Sequence, residues 1–487
     1  MGPDVSGREG VAVTAPGEDF AERPDRQGGF NQMSAQRIVV VGAGFAGLKC
    51  VQRLERELKD ELARNEVEIV VVNPHDYMLY LPLLPQVAAG VITAQSVTVP
   101  LPRAIKRAQR LPGQVVGLDL ERKVAVVKKI SEDVVDLPYD RLVIAAGSVT
   151  RQFDIKGLEE HGLGMKNLGE AAYLRDHVLS QLELANASTD PEERAARCGF
   201  VVVGGGYAGT ETAACLELLT DAAMKRFPRL DPTLVKWTLV DIAPRLMPEL
   251  GQRLGEEALD LLRRRGIGIR LETGVEEVTD SSVTLTDGST IPTKTLVWTA
   301  GVTASPLVKM LGVELVRGRV KCGTDLRLEG YEDVFVLGDA AAVPDLTADP
   351  PGSALCPPTA QHATRQAVIA ADNVVASLRG QPLREYKHHD LGLVVDLGGT
   401  QAVAHPLKLR LTGVIAQAVT RGYHLYALPL QRTRMRVIFN WILHLFGGDD
   451  FIRIGFLAGR KSETSSFEET RDYLSEEEMA KRATAAS

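Results

Sequence analysis

Cysteine is scarce in this chain, and its copies are widely spaced. The five copies are Cys50, Cys198, Cys215, Cys322 and Cys356. No two of them have CxxC or CxxxxC spacing, which excludes a local redox disulfide and argues against a fold held together by disulfides. Any redox chemistry must therefore come from a bound cofactor.

Long apolar runs and a net positive charge are also lacking. No run of 18 apolar residues occurs, so no transmembrane helix is predicted. Residues 1–35 have no apolar core of the kind found in signal peptides, and their Gly, Pro and charged residues predict a disordered tail. We therefore expect an intracellular protein. The formal net charge of −7 argues against nucleic acid as a partner.

Glycine, by contrast, is concentrated in two matching motifs. Residues 42–47 read GAGFAG, and residues 204–209 read GGGYAG. Each motif follows a short apolar run and precedes an Ala- and Leu-rich stretch that is typical of a helix. Such glycines allow a tight turn and let backbone N–H groups approach a pyrophosphate at a helix N-terminus. Two copies predict two dinucleotide sites, between which electrons would pass.

The residue that ends the second strand of each unit distinguishes the two sites. In the first unit, a predicted helix over 47–63 leads to a strand over 67–73 that ends at Asn73, where an acidic residue normally receives the adenosine ribose. In the second unit, the strand over 237–241 ends at Asp241. A carboxylate favours a free 2′-hydroxyl and repels a 2′-phosphate, which predicts NADH over NADPH. The alternative is that Asp241 is a solvated carboxylate at a strand end.

Three further apolar runs are predicted as strands, over 137–147, 295–301 and 333–339, and the first two end at glycine. The last of them ends in Gly338-Asp339. A carboxylate at the end of a buried strand is a good anchor for a cofactor hydroxyl, because charge-assisted hydrogen bonds are strong. An ordinary Gly-Asp turn is the alternative.

These motifs together resemble those of the two-dinucleotide-binding-domain flavoproteins, in which FAD occupies the first site and NAD(P)H the second. More specific segments resemble one branch, the type II NADH:quinone oxidoreductases, which are non-electrogenic NADH dehydrogenases. The segments are YMLYLPLLPQVAAG at 77–90, TLVWTAGV at 295–302 and AQHATRQ at 360–366. The resemblance runs from Arg37 to Phe456. It includes a basic C-terminal region, since residues 405–461 contain nine Lys/Arg and two acids.

The resemblance implies an α/β fold with two Rossmann-like dinucleotide-binding domains and a C-terminal amphipathic region that associates with a membrane. The implied segments are a disordered tail (1–35), an FAD-binding domain (36–150 and 320–390), an NADH-binding domain (151–319), a C-terminal strand and amphipathic helix (391–460) and an acidic tail (461–487). The acidic tail is predicted to be disordered or a frayed helix.

The resemblance also implies roles for individual residues. The residues that would hold FAD are Gly42, Gly44 and Gly47 at the pyrophosphate, Asn73 at the adenosine ribose and Asp339 at the ribityl or pyrophosphate end. The residues that would hold NADH are Gly204, Gly206, Gly209 and Asp241. Gly147, Gly301 and Gly338 complete the predicted cofactor-binding set. No metal site is predicted.

Three residues would be catalytic: Glu211, Gln361 and Arg365. Glu211 would lie near the nicotinamide and the flavin, and its alternative is an acid that favours the helix dipole. Gln361 would lie beside the flavin and the quinone, on a helix predicted over 360–377 whose N-terminal dipole would favour negative charge on a reduced flavin. His362 is interpreted as a packed histidine rather than a proton donor.

Two departures from the family pattern concern the quinone site. The family motif usually reads AQxAxQQ, whereas Arg365 replaces the first of its two closing glutamines. Leu81 and Pro85 replace polar residues that are common in the PLL motif. An arginine here would either hydrogen-bond a quinone carbonyl or favour another acceptor.

Residues 432–446 form a candidate membrane-associating helix, and a first helix of the pair is predicted over 411–428. The apolar residues that recur at helical spacing are Met435, Ile438, Ile442 and Leu445. Trp441 and the neighbouring arginines suit a helix that lies in the interface of an anionic membrane. The alternative is that this face packs against the protein's own core or against a partner in a homodimer.

The predicted function is FAD-dependent oxidation of NADH, with two-electron transfer to a membrane quinone (menaquinone or ubiquinone) and without proton pumping, at the cytoplasmic side of the cell membrane. One alternative is a redox-sensing flavoprotein that binds NADH and turns over slowly. The other is a sulfide:quinone oxidoreductase, which needs two cysteines that flank the flavin. Cys356 lies near one such position, but no cysteine occurs between Cys50 and Cys198.

Overall fold

A computed structural model describes residues 35–447, 451–453 and 473–485 of the chain. Its strands are β1 (Gln36–Val41), β2 (Val67–Asn73), β3 (Tyr77–Leu79), β4 (Thr98–Pro100), β5 (Gln109–Asp119), β6 (Val124–Lys129), β7 (Val134–Pro138), β8 (Arg141–Ile144), β9 (Ser148–Thr150), β10 (Gly162–Leu163), β11 (Gly199–Val203), β12 (Lys236–Val240), β13 (Gly268–Arg270), β14 (Val275–Val278), β15 (Ser282–Leu285), β16 (Thr290–Pro292), β17 (Leu296–Trp298), β18 (Val302–Ala304), β19 (Leu315–Val316), β20 (Arg319–Lys321), β21 (Val334–Val336), β22 (Ala341–Ala342), β23 (Val394–Asp396), β24 (Ala402–Ala404) and β25 (Leu411–Thr412).

The α-helices alternate with these strands over most of the chain. They are α1 (Phe45–Glu57), α2 (Lys59–Ala63), α3 (Leu84–Ala88), α4 (Leu101–Ala104), α5 (Leu158–His161), α6 (Leu168–Ala187), α7 (Pro191–Cys198), α8 (Tyr207–Ala223), α9 (Gln252–Arg264), α10 (Ala360–Leu378), α11 (Gly413–Ala427), α12 (Gln431–Gly447) and α13 (Glu476–Ala485). Alternation of this kind predicts parallel sheets covered by helices.

The larger sheet has seven strands in the order β21-β8-β1-β2-β5-β6-β7. Its first five strands are parallel, and β5, β6 and β7 continue it as an antiparallel meander. Strand β1 reads QRIVVV, and its last four residues are buried, which is the continuous apolar run of a parallel strand covered on both faces.

The second sheet has five parallel strands in the order β10-β17-β11-β12-β13. All five residues of β11 are buried. The two sheets meet through the antiparallel pair β9 and β18, which follow Gly147 and Gly301 at the carboxyl ends of β8 and β17. Because open α/β sheets bind ligands at the carboxyl ends of their strands, this pair lies where two dinucleotide sites would face each other.

Two predicted elements are wrong in their continuity. The helix predicted over 47–63 is two helices, because Leu58 leaves the helical region at φ −107° and ψ 23° between α1 and α2. The strand predicted over 137–147 is also two: β7 pairs antiparallel with β6, and β8 pairs parallel with β1. Pro138 has no N–H to donate to a ladder, and the chain turns at Tyr139 and Asp140 before β8 begins.

The C-terminal region adds the small sheet β23-β24-β25 and the helices α11 and α12. Helix α11 has inverted polarity. Its buried residues are Ala416, Gln417, Thr420 and His424, whereas Val414, Ile415 and Tyr426 are exposed. The polar side chains of this helix therefore face the protein, and its large apolar side chains face outward.

Helix α12 presents two different faces. Its buried residues are Thr433, Val437 and Trp441, and its exposed large apolar residues are Met435, Phe439, Ile442, Leu443, Leu445 and Phe446. The first face packs against the protein and includes Trp441, so the prediction that Trp441 lies in a membrane interface is wrong. It is not the predicted apolar face, because Met435, Ile442 and Leu445 are exposed. The second leaves an uncovered apolar surface. None of the helices in the described part of the chain is both long enough and apolar enough to cross a membrane.

The last described segment, 473–485, returns to the meander of the larger sheet. Leu474 donates its N–H to the carbonyl of Val116 at 3.0 Å, and Arg482 forms an ion pair with Asp136 at 2.8 Å. Helix α13 lies in the acidic tail, which is predicted to be either disordered or a frayed helix. The predicted N-terminal tail lies outside the described residues except for Ala35.

Candidate active site

The first glycine motif forms a tight turn between β1 and α1. Gly42 has φ +90°, a conformation that L side chains rarely adopt. A Cβ on Gly47 would lie 1.9 Å from the carbonyl oxygen of Gly42, so the helix can approach the turn only without a side chain there. Gly44 is the N-cap of α1 with no side-chain cap, and a Cβ on it would meet nothing within 4 Å. The turn thus leaves open space against unpaired N–H groups at a helix N-terminus, which suits a pyrophosphate.

The second motif repeats this geometry between β11 and α8. Gly204 has φ +114°, and a Cβ on Gly209 would lie 1.9 Å from the carbonyl oxygen of Gly204. Gly206 is the N-cap of α8, again with no side-chain cap and with open space around it. The hydroxyl of Thr299, which follows β17, donates to the carbonyl of Val203 at 2.7 Å and closes this turn from the side.

The residues at the ends of β2 and β12 hold their glycine turns in the same way. Asn73 Oδ1 accepts the N–H of Ala43 at 2.8 Å, and its Nδ2 donates to the carbonyl of His75 at 2.7 Å. Asp241 Oδ2 accepts the N–H of Gly205, and its Oδ1 accepts that of Ala243 at 2.6 Å. Each side chain therefore fixes the second residue of its motif.

Gly338 and Asp339 lie directly beside the first glycine turn. A Cβ on Gly338 would lie 3.4 Å from the Cβ of Ala46 and 3.5 Å from that of Ala363, so the first turns of α1 and α10 converge on this point. The N–H of Gly338 donates to Oε1 of the buried Gln366 at 2.8 Å. The sequence motif therefore marks a short 3₁₀ turn at which three elements come into contact.

The carboxylate of Asp339 belongs to a polar chain that crosses to the second sheet. Ser148 Oγ donates to Asp339 Oδ2 at 2.6 Å, and Lys166 Nζ donates to Ser148 Oγ at 2.9 Å. Gly147 and Gly301, with φ +67° and +88°, flank the β9–β18 pair, and a Cβ on either would meet nothing within 4 Å. Both glycines therefore border open space at the junction of the sheets.

Gln361 and Arg365 lie one turn apart at the start of α10 and contact each other. Arg365 Nη1 donates to Gln361 Oε1 at 3.0 Å. Gln361 Nε2 donates to the carbonyl of Gly392 at 2.7 Å, two residues before β23. Thr359 is the N-cap of this helix, and its Oγ1 accepts the N–H of His362 at 3.3 Å.

Glu211 lies in the second turn of α8 and contacts the other end of β23. Its Oε1 accepts the N–H of Asp396 at 2.8 Å. Gly392 and Asp396 are four residues apart in the chain. The backbone groups that Gln361 and Glu211 contact therefore lie within about 14 Å of each other. The structure thus connects two of the three predicted catalytic residues through one short segment, and Arg365 contacts the first of them.

Burial changes the protonation of several groups around the segment from Gly392 to Asp396. Burial is the main cause that raises the pKa of Glu211 well above its usual range, and the nearby charge of Asp396 raises it further. Burial also raises the pKa of Asp396, although hydrogen bonds from Gly398, Gln417 and Gln86 oppose this. Perturbed carboxyl groups in a cleft are typical of functional sites.

Two buried histidines are neutral at physiological pH. Burial lowers the pKa of His362 to about 4 and that of His424 to about 4. His362 stacks on His388 with ring centroids 3.7 Å apart, and both Nδ1 atoms lie within 3.1 Å of the hydroxyl of Tyr386. This arrangement agrees with the interpretation of His362 as a packed histidine.

Sequence reasoning missed five polar residues of the site: Ser148, Lys166, Gln366, Gln86 and Asp396. Gln366 was visible as the last glutamine of the AQHATRQ segment. Gln86 lies inside the PLLPQVAAG segment, and nothing in that segment marks it as a residue of the site. Nothing local distinguishes Asp396, whose role depends on a contact with α8 nearly 200 residues away in the chain.

Comparisons with known proteins agree with this geometry. The model of the pyridine nucleotide-disulphide oxidoreductase family matches residues 36–367. The type II NADH:quinone oxidoreductase Ndh of Mycobacterium tuberculosis is 33% identical over 422 residues, which cover 83% of this chain and 87% of that protein. A second protein of that organism, the type II NADH:quinone oxidoreductase NdhA, is 31% identical over 430 residues, with 84% and 87% covered.

The fold agrees with that of a solved structure as well. The NDH2 structure from Plasmodium falciparum in complex with RYL-552 superimposes with a TM-score of 0.78 at 16% identity, and the match covers 86% of this chain and 100% of that chain. At this identity the superposition supports the fold alone, whereas the family match and the 33% identical relative extend to the sequence. The chain belongs to the pyridine nucleotide-disulphide oxidoreductase family and, within it, to the type II NADH:quinone oxidoreductases.

Proposed function

We propose that this protein oxidises NADH with FAD as its resident cofactor and transfers two electrons to a quinone, without pumping protons. The observation that carries the proposal is the pair of glycine turns whose N-caps, Gly44 and Gly206, border open space and have no side-chain cap. The curated relatives that share most of this chain's length are named for the same reaction.

The residues around the first turn fit FAD. The open space at Gly44 and the uncapped N-terminus of α1 suit the pyrophosphate. Asp339 presents a half-buried carboxylate of which one oxygen, Oδ2, accepts from Ser148, so the other can accept from a ribityl hydroxyl. Asn73 is committed to Ala43 and His75, but each of its polar atoms has capacity for one more hydrogen bond, and we keep the adenosine ribose as its proposed partner.

The second turn fits NADH. Gly204, Gly206 and Gly209 leave the same open space at the N-terminus of α8. Asp241 keeps a carboxylate at the end of β12, where it accepts the N–H of Gly205 and repels an additional phosphate. We therefore propose NADH rather than NADPH as the electron donor.

The chain's own residues position the reactants, and the bound FAD supplies hydride acceptance and two-electron storage. Gly147 and Gly301 keep the junction of the two sheets free of side chains, so that the nicotinamide can approach. Glu211 holds a proton beside Asp396, and the N-terminus of α10 places a positive dipole beside Gly338. Gln361, fixed between Gly392 and Arg365, offers an amide to the quinone side.

The membrane surface is the proposed place of the quinone reaction. Outward apolar side chains of α11 and α12, among them Ile415, Phe439 and Phe446, lie beside the arginines of α12, which is the composition of a helix that lies in a lipid interface. We propose peripheral association with the cytoplasmic side of the cell membrane. A homodimer that buries the same face is the competing proposal.

The domain boundaries follow from the same assignment. We propose 36–150 and 320–390 as the FAD-binding domain, 151–319 as the NADH-binding domain and 391–460 as the membrane-associating region. The larger sheet and the five-stranded sheet support the first two, since each contains one glycine turn.

A sulfide:quinone oxidoreductase is not supported by the cysteines. All five are free and buried, and burial raises the pKa of Cys356 to about 12, so this thiol is not poised to act as a nucleophile. A redox sensor that binds NADH would differ from an NADH:quinone oxidoreductase only in its rate of turnover.

Steady-state oxidation of NADH with soluble menaquinone and ubiquinone analogues tests the function. We expect fast turnover that requires FAD. Flavin reduction by NADH without reoxidation by either quinone would refute the quinone assignment and favour the redox sensor.

Flotation with anionic vesicles tests the membrane assignment. We expect the intact protein to float with the vesicles, and a variant truncated before Arg432 to remain in the dense fractions. Phe439→Lys with Phe446→Lys should reproduce the loss without removing the helix. Full binding by both variants would refute the proposed surface, and a dimer-to-monomer change in gel filtration would instead support the homodimer.

A further inference from the structure

Glu211 and Asp396 form a carboxyl pair in the protein interior. Glu211 is 7% exposed and Asp396 is 5% exposed, and the N–H of Asp396 donates to Oε1 of Glu211 at 2.8 Å. Burial raises the pKa of both carboxyl groups, and the nearby charge of Asp396 raises that of Glu211 further. A site of this kind favours a proton on one of the two carboxyl groups.

The hydrogen bonds distinguish the two members. Asp396 Oδ2 accepts from Gln86 Nε2 at 2.6 Å, and its Oδ1 accepts from the Gly398 N–H at 2.8 Å and from Gln417 Nε2 at 3.1 Å. Three donors on both oxygens favour an ionised carboxylate. Within the described part of the chain, Glu211 accepts one hydrogen bond, from the N–H of Asp396 to Oε1, which leaves Oε2 as the oxygen that can carry a proton.

The charged and titratable neighbours point the same way. Arg421 on α11 lies close enough to lower the pKa of Asp396 against the dominant effect of burial, whereas no cation opposes the rise in the pKa of Glu211. Cys215 on α8 and Tyr80 near α3 interact with the pair, and both are neutral because their own pKa values are raised by burial. His424 on α11 is neutral as well, and so is Tyr207, whose pKa burial raises.

We propose that Asp396 is the positioning residue that carries the negative charge of this pair and thereby holds Glu211 in its protonated form, with the proton on Oε2. The use of this proton in catalysis rests on the proposed function. The reaction NADH + H⁺ + quinone → NAD⁺ + quinol consumes one proton from solution, and a glutamic acid kept protonated beside the segment that also holds Gln361 is a local source of it.

The pair is also fixed from the C-terminal region. Gln86 uses its amide nitrogen for Asp396, and its Oε1 accepts Trp441 Nε1–H at 2.8 Å. Trp441 belongs to the buried face of α12. The orientation of the amide of Gln86 is therefore set by α12, since reversal would place two acceptors against each other at Asp396 and two donors at Trp441.

Infrared spectroscopy of the FAD-loaded, full-length protein tests the proposal. We expect a protonated-carboxyl C=O band that persists at neutral pH and disappears in Glu211→Gln. In Asp396→Asn the Glu211 band should titrate about one pH unit lower or more, because the neighbouring charge is gone. The alkaline limb of the pH profile of kcat/KM for NADH oxidation should move by the same amount. Asp390→Asn, which removes an exposed carboxylate two residues before Gly392, is the matched control and should leave the band unchanged.

Two results would overturn the proposal. A band that survives in Glu211→Gln and vanishes in Asp396→Asn would place the proton on Asp396, and an unchanged Glu211 titration in Asp396→Asn would remove Asp396 from the role. If Asp396→Asn does not fold, Gln417→Leu serves instead, because it removes one hydrogen-bond donor from Asp396. We then expect Asp396 to be protonated in part of the molecules. Its protonated-carboxyl band should be visible in the double variant Gln417→Leu with Glu211→Gln. The absence of that band would equally refute the proposal. The infrared titration needs neither NADH nor quinone, so a failure of quinone reduction would count against the function alone.

Discussion

Alanine substitutions in the two glycine turns separate protein stability from cofactor binding. A Cβ at Gly47 would lie 1.9 Å from the carbonyl oxygen of Gly42 and 2.8 Å from its carbonyl carbon, so Gly47→Ala must displace backbone. Overpacking of this kind costs about 1–3 kcal/mol. At roughly 2–4 °C per kcal/mol for a domain of about 200 residues, we expect the apoprotein to unfold several degrees lower.

Gly44→Ala should behave in the opposite way. Its φ of −72° is accessible to alanine, and nothing lies within 4 Å of the added carbon, so we expect the stability of the apoprotein to change by less than about 0.5 kcal/mol. The methyl group occupies the space proposed for the FAD pyrophosphate. We expect FAD affinity to fall at least about tenfold, which corresponds to about 1.4 kcal/mol.

The second turn supplies an internal replicate. Gly209→Ala should destabilise the protein as Gly47→Ala does, whereas Gly206→Ala should raise KM for NADH and leave FAD content unchanged. Thermal unfolding of deflavinated protein, FAD titration by fluorescence and NADH kinetics measure the three quantities. Normal FAD affinity in Gly44→Ala, or equal destabilisation by all four variants, would refute the placement of the pyrophosphates at these N-caps.

Three further predictions follow from single contacts. Asp241→Asn keeps an acceptor for the N–H of Gly205 but loses the charge, so the ratio of kcat/KM for NADH to that for NADPH should fall about tenfold or more; an unchanged ratio would mean that Asp241 does not face the ribose. Trp441→Phe leaves Oε1 of the buried Gln86 without a donor, and denaturant unfolding should show a loss of about 1–3 kcal/mol, whereas Phe446→Leu at an exposed position should not. His424 has a pKa of about 4 in the folded protein against 6.5 ordinarily; the unfolded chain binds the proton first, so the free energy of unfolding should fall as the pH drops from 6.5 toward 4. His424→Gln should flatten that slope, and an unaltered slope would contradict the burial of His424.

The glycine turns could be predicted from sequence because each depends on local rules. Gly42 and Gly204 need a left-handed backbone, and Gly47 and Gly209 need close approach, so the spacing alone carries the information. The apolar run that ends in Gly338-Asp339 was predictable for the same reason. The run over 137–147 was misread because one apolar stretch can serve two strands, and only Pro138 marks the break.

The polar network of the site could not be predicted in the same way. Gln86, Glu211, Asp396 and Trp441 lie on four separate elements, and each contact depends on tertiary packing rather than on neighbours in the chain. The resemblance pointed to Glu211 and to Gln361 but gave no reason to connect them. It is the segment from Gly392 to Asp396 that does so, and its sequence resembles an ordinary edge strand.

The inverted polarity of α11 makes the surrounding medium part of the folding equilibrium of the C-terminal region. In water, Val414, Ile415 and Tyr426 gain nothing from the folded helix, while Gln417, Thr420 and His424 must give up hydration to enter it. At a lipid surface, Val414, Ile415 and Tyr426 would be removed from water and would stabilise the folded helix. Amide hydrogen exchange should therefore be faster in α11 than in α1 or α8 in detergent-free buffer, and should slow selectively in α11 when vesicles are added.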